Sequence, residues 1–141
     1  MMITELSEPY PIYTYRYFVQ KWPDLCLLAH FEGKPDEVIG CIVSKLEHQA
    51  KPIEHTNKLR GYIAMLAVLP EHRRLGLGRK LVARTIDLMK EKGADEVILE
   101  TEITNVAALR LYESMGFLRD KRLQSYYLNN NDAFKLKLMF H

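Results

Sequence analysis

The chain has 141 residues, 48% of them hydrophobic and 27% charged, enough for one domain over residues 1–141 with a single core. No apolar run nears the roughly 20 residues that span a bilayer, and a net charge of +2, in short scattered basic groups, argues against nucleic acid as a direct partner. Cys26 and Cys41 lie inside apolar runs without the spacing of a disulfide framework or metal site, and "MMITELSEPYP" has no secretory pattern, so reduced thiols in the cytoplasm are expected.

In chain order, residues 12–21 ("IYTYRYFVQK") place Ile12, Tyr13, Tyr17 and Phe18 at helical intervals behind Pro9 and Pro11, and predict a short helix in which Tyr13, Tyr17 and Phe18 pack. "LCLLAHF" (25–31) and "VIGCIVSKLEH" (38–48) read as two strands joined by the turn chemistry of "EGKPDE". The polar stretch Gln49 to Leu59 reads as loop, and "RGYIAMLAVL" (60–69) as a third strand closed by Pro70. Leu77, Leu81, Val82, Ile86 and Met89 then recur with a period near 3.6 and predict a helix ending before Gly93. "DEVILETEI" (95–103) is a fourth strand, followed by a helix from about Asn105 to Met115 with Thr104 as N-cap and Gly116 as its stop. Two last strands, "FLRDKRLQSYYL" and "AFKLKLMF", flank "NNND". This order predicts an α/β fold, an α+β mixed sheet with helices on its faces.

Between the third strand and its helix stands "LPEHRRLGLGRKLV". A helix N-terminus carries unpaired N–H groups and the positive end of the macrodipole, so a glycine-rich turn there can cradle a phosphate. Gly76 and Gly78 would let the backbone approach closely, and Arg73, Arg74 and Arg79 would add charge; a tight turn with solvated arginines is the equal alternative. The P-loop pattern is absent, and Leu81 stands where the dinucleotide fingerprint needs its third glycine. The five histidines form neither a metal pair nor a triad with a G-x-S-x-G serine, so no metal site is expected.

Two motifs together resemble the GNAT acetyltransferases. The signature [RQ]-x-x-G-x-[GA] stands at Arg73, Arg74, Leu75, Gly76, Leu77 and Gly78, and N-x-x-A-x-x-x-Y-x-x-x-G-F is complete at Asn105, Ala108, Tyr112, Gly116 and Phe117. The resemblance implies acetyl-CoA as cofactor. Its pyrophosphate would lie on the backbone amides of residues 74–79, its pantetheine arm along Leu66, Ala67 and Val68, and Asn105 would touch it. The family fold, an acyl-CoA N-acyltransferase fold, opens with a strand before its first helix; this chain opens almost on the helix, so a sheet lacking that strand is expected, with "LCLLAHF" left at an edge.

Over nearly the whole chain, "LSEPYPIYTYRYF", "RGYIAMLAV", "DEVILETEITN" and "LYESMGF" with the final hairpin further resemble the catalytic subunits of NatC-type N-terminal acetyltransferases. That implies direct acetyl transfer to the α-amine of nascent proteins beginning with Met and a bulky apolar residue. It also implies auxiliary NatC subunits and ribosome association. An ammonium cannot attack a thioester, so a base must take a proton and an acid can protect the leaving thiolate. Glu100 ends the apolar run of "VILETE", where partial burial would strengthen it as a base, and the resemblance gives it that role through water. Tyr112, on one helical face with Asn105 and Ala108, is the implied proton donor to the sulfur. The matching substrate residues are Leu6, Glu8, Tyr10, Tyr62, Tyr126 and Tyr127. Two alternatives remain at this level: a lysine or small-amine GNAT acetyltransferase, and a non-catalytic module binding CoA or auxiliary subunits, against which the intact Glu100 and Tyr112 speak.

Overall fold

The computed structural model describes residues 12–51, 56–73, 76–127 and 131–140. Helix α1 (Ile12–Lys21) buries Tyr15 and Phe18, one turn apart. Tyr17, expected to pack inward, is instead half exposed and meets the Trp22 ring edge-on at 5.9 Å, because among the described side chains of α1 the Tyr15/Phe18 stripe faces the sheet; the Tyr13 side chain, also expected to pack, lies outside them. A 3-10 turn at Pro23–Leu25 leads into β1 (Cys26–His30), β2 (Val38–Lys51) and β3 (Thr56–Val68). The polar stretch read as loop from Gln49 to Leu59 is mostly strand: β2 and β3 stay paired through His48↔Leu59, Gln49↔Lys58, Ala50↔Asn57 and Lys51↔Thr56. His48 and Asn57 at that end are exposed, and backbone hydrogen bonds hold the extension together.

The chain continues through α2 (Leu77–Glu91), β4 (Glu96–Glu102), α3 (Val106–Ser114), β5 (Leu118–Leu123) and β6 (Ala133–Met139). The described strands form a six-stranded sheet in the order β1-β2-β3-β4-β6-β5, with only β3 and β4 parallel. This is the expected mixed sheet with helices on both faces. Leu81, Val82, Ile86 and Met89 of α2 and Leu109 and Tyr112 of α3 bury one face against Ile42, Ile63, Val97, Leu99 and Leu136. On the other face, Tyr15 and Phe18 of α1 meet Cys41, Val43, Met65 and Ala67. A β-bulge at Ala64 reconciles the two: the register runs Val43↔Met65 and then Ser44↔Ile63, so Ile63 faces α2 while Met65 and Ala67 face α1. Among the described strands β1 and β5 form the two edges of the sheet, with Leu28 of β1 61% exposed. Cys26 and Cys41 are free thiols; burial pushes both above the ordinary thiol value, Cys41 to about 11.

Two local boundaries depart from expectation. Asn105, not Thr104, caps α3: its side-chain oxygen accepts the Ala108 N–H at 3.1 Å, while the Thr104 hydroxyl turns back to Glu102. Strand β5 stops at Leu123 instead of running through Tyr127, because Asp132 captures the chain beyond it. Its Oδ1 accepts the Ser125 N–H at 2.9 Å and its Oδ2 the Arg122 Nε–H at 2.8 Å, with Ser125 at φ +48°. No described helix is long and apolar enough to cross a membrane.

Glu96, fully buried, ties β4 to β3 by ion pairs to Arg60 (2.6 Å) and Lys58 (3.4 Å). Burial alone would raise its carboxyl; the hydrogen bond and charge of Arg60, with Lys137 and Lys58 behind, outweigh burial and hold it below the usual range. A carboxylate depressed in the folded state adds stability that is complete above its unfolded value of about 4.3 and lost as pH falls through the lower, folded one. Urea midpoints should therefore decline below about pH 4, and Glu96→Gln should flatten part of that decline.

Candidate active site

Strands β3 and β4 are paired only at Arg60↔Glu96, Gly61↔Val97 and Tyr62↔Ile98. Beyond that point β3 follows β2 as far as Val68, and β4 follows β6 as far as Glu102↔Ala133. The sheet opens into a wedge at the carboxyl ends of its two parallel strands, the usual place for a ligand in a sheet of this kind. Among the described residues, the β3 edge from Ile63 to Val68, which includes Leu66, Ala67 and Val68, has no ladder partner in β4, so its outward backbone groups can receive an extended ligand as a strand would.

At the wedge mouth, α2 begins. Gly76 is its N-cap at φ +74°, a left-handed conformation that side chains adopt at a cost, and a Cβ there would meet no described atom within 4 Å. The space over this turn is therefore open to a ligand. The first turn of α2 contains no acidic residue, while Arg79 and Lys80 stand exposed within it. Cations at the positive end of a helix dipole are unfavourable alone and favourable around a bound anion. Arg73 donates from Nε to the Val68 carbonyl (3.2 Å), and Arg79 from Nη1 to the Ser114 hydroxyl (2.8 Å), so both flank the turn with side chains tied to β3 and α3. A Cβ on Gly78 would lie 3.7 Å from Leu66 and 3.8 Å from Leu111, where α2, β3 and α3 converge. Arg74 and Leu75, and Leu6, Glu8 and Tyr10 of the expected peptide pocket, lie outside the described residues.

The side chains of β4 divide the chemistry between the two faces. Leu99 belongs to the α2/α3 core with Tyr112, and Glu100 points to the opposite face, where the register also places Tyr62, Ile98 and Lys135. Glu100 is half-buried. Its Oε1 accepts the Tyr126 O–H at 2.9 Å, whereas Oε2 is buried with no hydrogen-bond partner among the described residues. Tyr126 meets Tyr127 edge-on at 5.2 Å. Lys135 lies across from Glu100 in the ladder, its ammonium held below the usual lysine range by burial first and the Arg60 charge second. Tyr112 is 5% exposed and packs edge-on against Phe117 at 5.5 Å; burial pushes its phenol well above the usual range, so it keeps its proton at neutral pH.

The structure thus joins Glu100 to Tyr126, which meets Tyr127, on the sheet face that the register shares with Tyr62, and leaves Tyr112 in the core on the other face. Asn105 stands at the start of α3 with its side-chain oxygen engaged as the cap. Sequence reasoning missed the hydrogen bond between Tyr126 and Glu100, and it missed Lys45, whose ammonium faces the rings of Phe18 (5.4 Å), Trp22 (5.9 Å) and Tyr62 (5.7 Å). Neither leaves a local signal, since each joins elements distant in sequence.

The acetyltransferase (GNAT) family model matches residues 1–117, and the chain belongs to that family. N-alpha-acetyltransferase 30 of Xenopus laevis is 54% identical over 138 residues, which are 98% of this chain and 48% of the relative. The protein of the same description from Saccharomyces cerevisiae is 52% identical over 137 residues, 95% of this chain and 74% of the relative. The chain therefore spans about half the length of the Xenopus protein. Among solved structures, the NatC complex bound to Gag peptide and CoA contains a chain of TM-score 0.86 and 48% identity, with 98% of this chain and 85% of that one covered.

Proposed function

We propose that this chain carries the catalytic centre of a NatC-type N-terminal acetyltransferase, which transfers acetyl from acetyl-CoA to the α-amine of proteins beginning with Met and a bulky apolar residue. The observation that carries the reading is the β3/β4 wedge, with the open turn at Gly76 at its mouth and the Glu100 carboxylate on one wall. Acetyl-CoA bound there supplies a thioester carbonyl for an amine to attack. The residues fit it: the backbone from Gly76 to Arg79 would hold the pyrophosphate, and the edge from Leu66 to Val68, without a ladder partner in β4, would receive the pantetheine. A peptide amine enters from the opposite face of the sheet, beside Tyr62, Tyr126 and Tyr127.

Glu100 takes a proton from the incoming ammonium, directly or through a water, and frees the lone pair that forms the new amide. Tyr112, still protonated at neutral pH, would give its proton to the sulfur as the carbon–sulfur bond breaks, and the second proton, shed by the nitrogen as the amide forms, would restore the phenol, leaving one net proton on Glu100 to pass to water. Burying a Leu or Ile at the second substrate position would add about 1.5–3 kcal/mol, enough to dominate selection. Large and small auxiliary subunits would bring this centre to ribosomes in the cytoplasm; the likeness to a chain of the NatC complex supports such partners.

Peptides starting Met-Leu or Met-Ile should be acetylated at the α-amine at least tenfold faster than Ser-start peptides or internal lysines, a ratio that about 1.4 kcal/mol of side-chain burial already supplies. Equal rates would defeat the assignment in favour of a general amine acetyltransferase. Gly76→Val should leave the fold intact yet raise the Kd for acetyl-CoA about tenfold in calorimetric titration, since a β-branched residue resists the left-handed turn by roughly 1–3 kcal/mol.

A further inference from the structure

We infer that Tyr126 is a positioning residue for the base: its hydroxyl pins Glu100 through Oε1 and leaves Oε2 as the atom that accepts the amine's proton. This rests on Glu100 being the base proposed above. A glutamate's terminal torsion is broad, so a carboxylate without a fixed donor presents either oxygen over a wide arc. The 2.9 Å bond from Tyr126 removes that freedom, and it leaves Oε2 buried and unpartnered among the described residues. A buried acceptor without a donor is costly, and it is expected where a substrate group or its water completes the bond.

The phenol reaches Glu100 from a loop that is itself tied down. Ser125 and Arg122 are held by Asp132, the Tyr127 N–H donates to the Asn131 carbonyl (3.3 Å), and Asn131 donates from Nδ2 to Glu102 (3.2 Å) on the strand that bears Glu100. Such anchoring suits a donor that must be placed. The cations that the register places on the Glu100 face are engaged with other carboxylates: Lys135 and Lys137 lie near Asp120 (3.6 and 3.8 Å), and Arg60 holds Glu96. Of the acidic neighbours, Glu102 is engaged by Asn131 and Thr104. Among the described residues, the hydroxyl of Tyr126 is therefore the donor that sets the carboxylate.

The test is a double-mutant cycle in the full chain, assayed with acetyl-CoA and a Met-Leu peptide. Tyr126→Phe keeps the ring, and should lower kcat about tenfold while the KM values for peptide and acetyl-CoA stay within about twofold. In a Glu100→Gln background the same change should lower the residual kcat by less than about twofold, because the group it positions is already disabled. An equal loss in both backgrounds, or a loss confined to peptide KM, would mean that Tyr126 acts on the peptide alone and would overturn the inference. Undiminished turnover in Glu100→Gln would remove the base assignment itself; an inactive Glu100→Gln beside a fully active Tyr126→Phe would sink only the role of Tyr126.

Discussion

Glu100→Gln is expected to bind acetyl-CoA as the parent chain does and to lose about 10²–10⁴-fold in kcat, the range of a positioned general base. The substitution is close to isosteric, and its carbonyl oxygen can still accept the Tyr126 hydroxyl, so the wall of the wedge should keep its shape. What disappears is a basic oxygen at the buried Oε2 position. Because the proposed cofactor seat is on α2 and the β3 edge and does not include Glu100, cofactor affinity should hold within about twofold while turnover collapses. Calorimetry and a peptide assay on one preparation read both quantities; undiminished kcat would take Glu100 out of the chemistry.

Arg60→Met should lower the free energy of unfolding by about 3 kcal/mol in chemical denaturation. Glu96 is wholly buried, and its short bond is the one to Arg60 at 2.6 Å; Lys58 stands at 3.4 Å on a more exposed stem. Truncating Arg60 leaves a buried carboxylate with a single long partner, which costs more than the net worth of the pair, whereas Glu96→Gln together with Arg60→Met should recover much of the loss because no charge is stranded. The pair is the first of the three β3/β4 rungs, which end at Tyr62↔Ile98 where the wedge opens, so the single variant should also raise the KM for acetyl-CoA by loosening that short pairing. A loss below about 1 kcal/mol would show that Lys58 and water satisfy Glu96 unaided.

How far the sequence disclosed this molecule depended on whether a feature leaves a local signature. The helix from Leu77 was legible because Leu81, Val82, Ile86 and Met89 all face one core, and the final strand because the buried Leu136 alternates with its lysines. The polar end of the β2/β3 hairpin was misread as loop, since paired backbone can carry strands that have no core to cover. The cap of α3 was misplaced by one residue because Thr104 and Asn105 are both good caps, and only the geometry of the preceding turn decides which side chain reaches the Ala108 N–H. At the site, the glycines and arginines of the turn were visible as a motif, but the opening that makes them useful arises from a pairing that ends at Tyr62 and Ile98, which no local pattern encodes. Glu100 and Tyr126 lie 26 positions apart and meet through the turn after Leu123, where Asp132 accepts the Ser125 N–H, a contact that no local pattern announces.

Calorimetric titration of the folded chain with acetyl-CoA tests the wedge and its glycine turn most directly. One site per chain with a micromolar Kd, near −8 kcal/mol, is the predicted outcome. A well-folded protein that releases no binding heat at millimolar acetyl-CoA would contradict it.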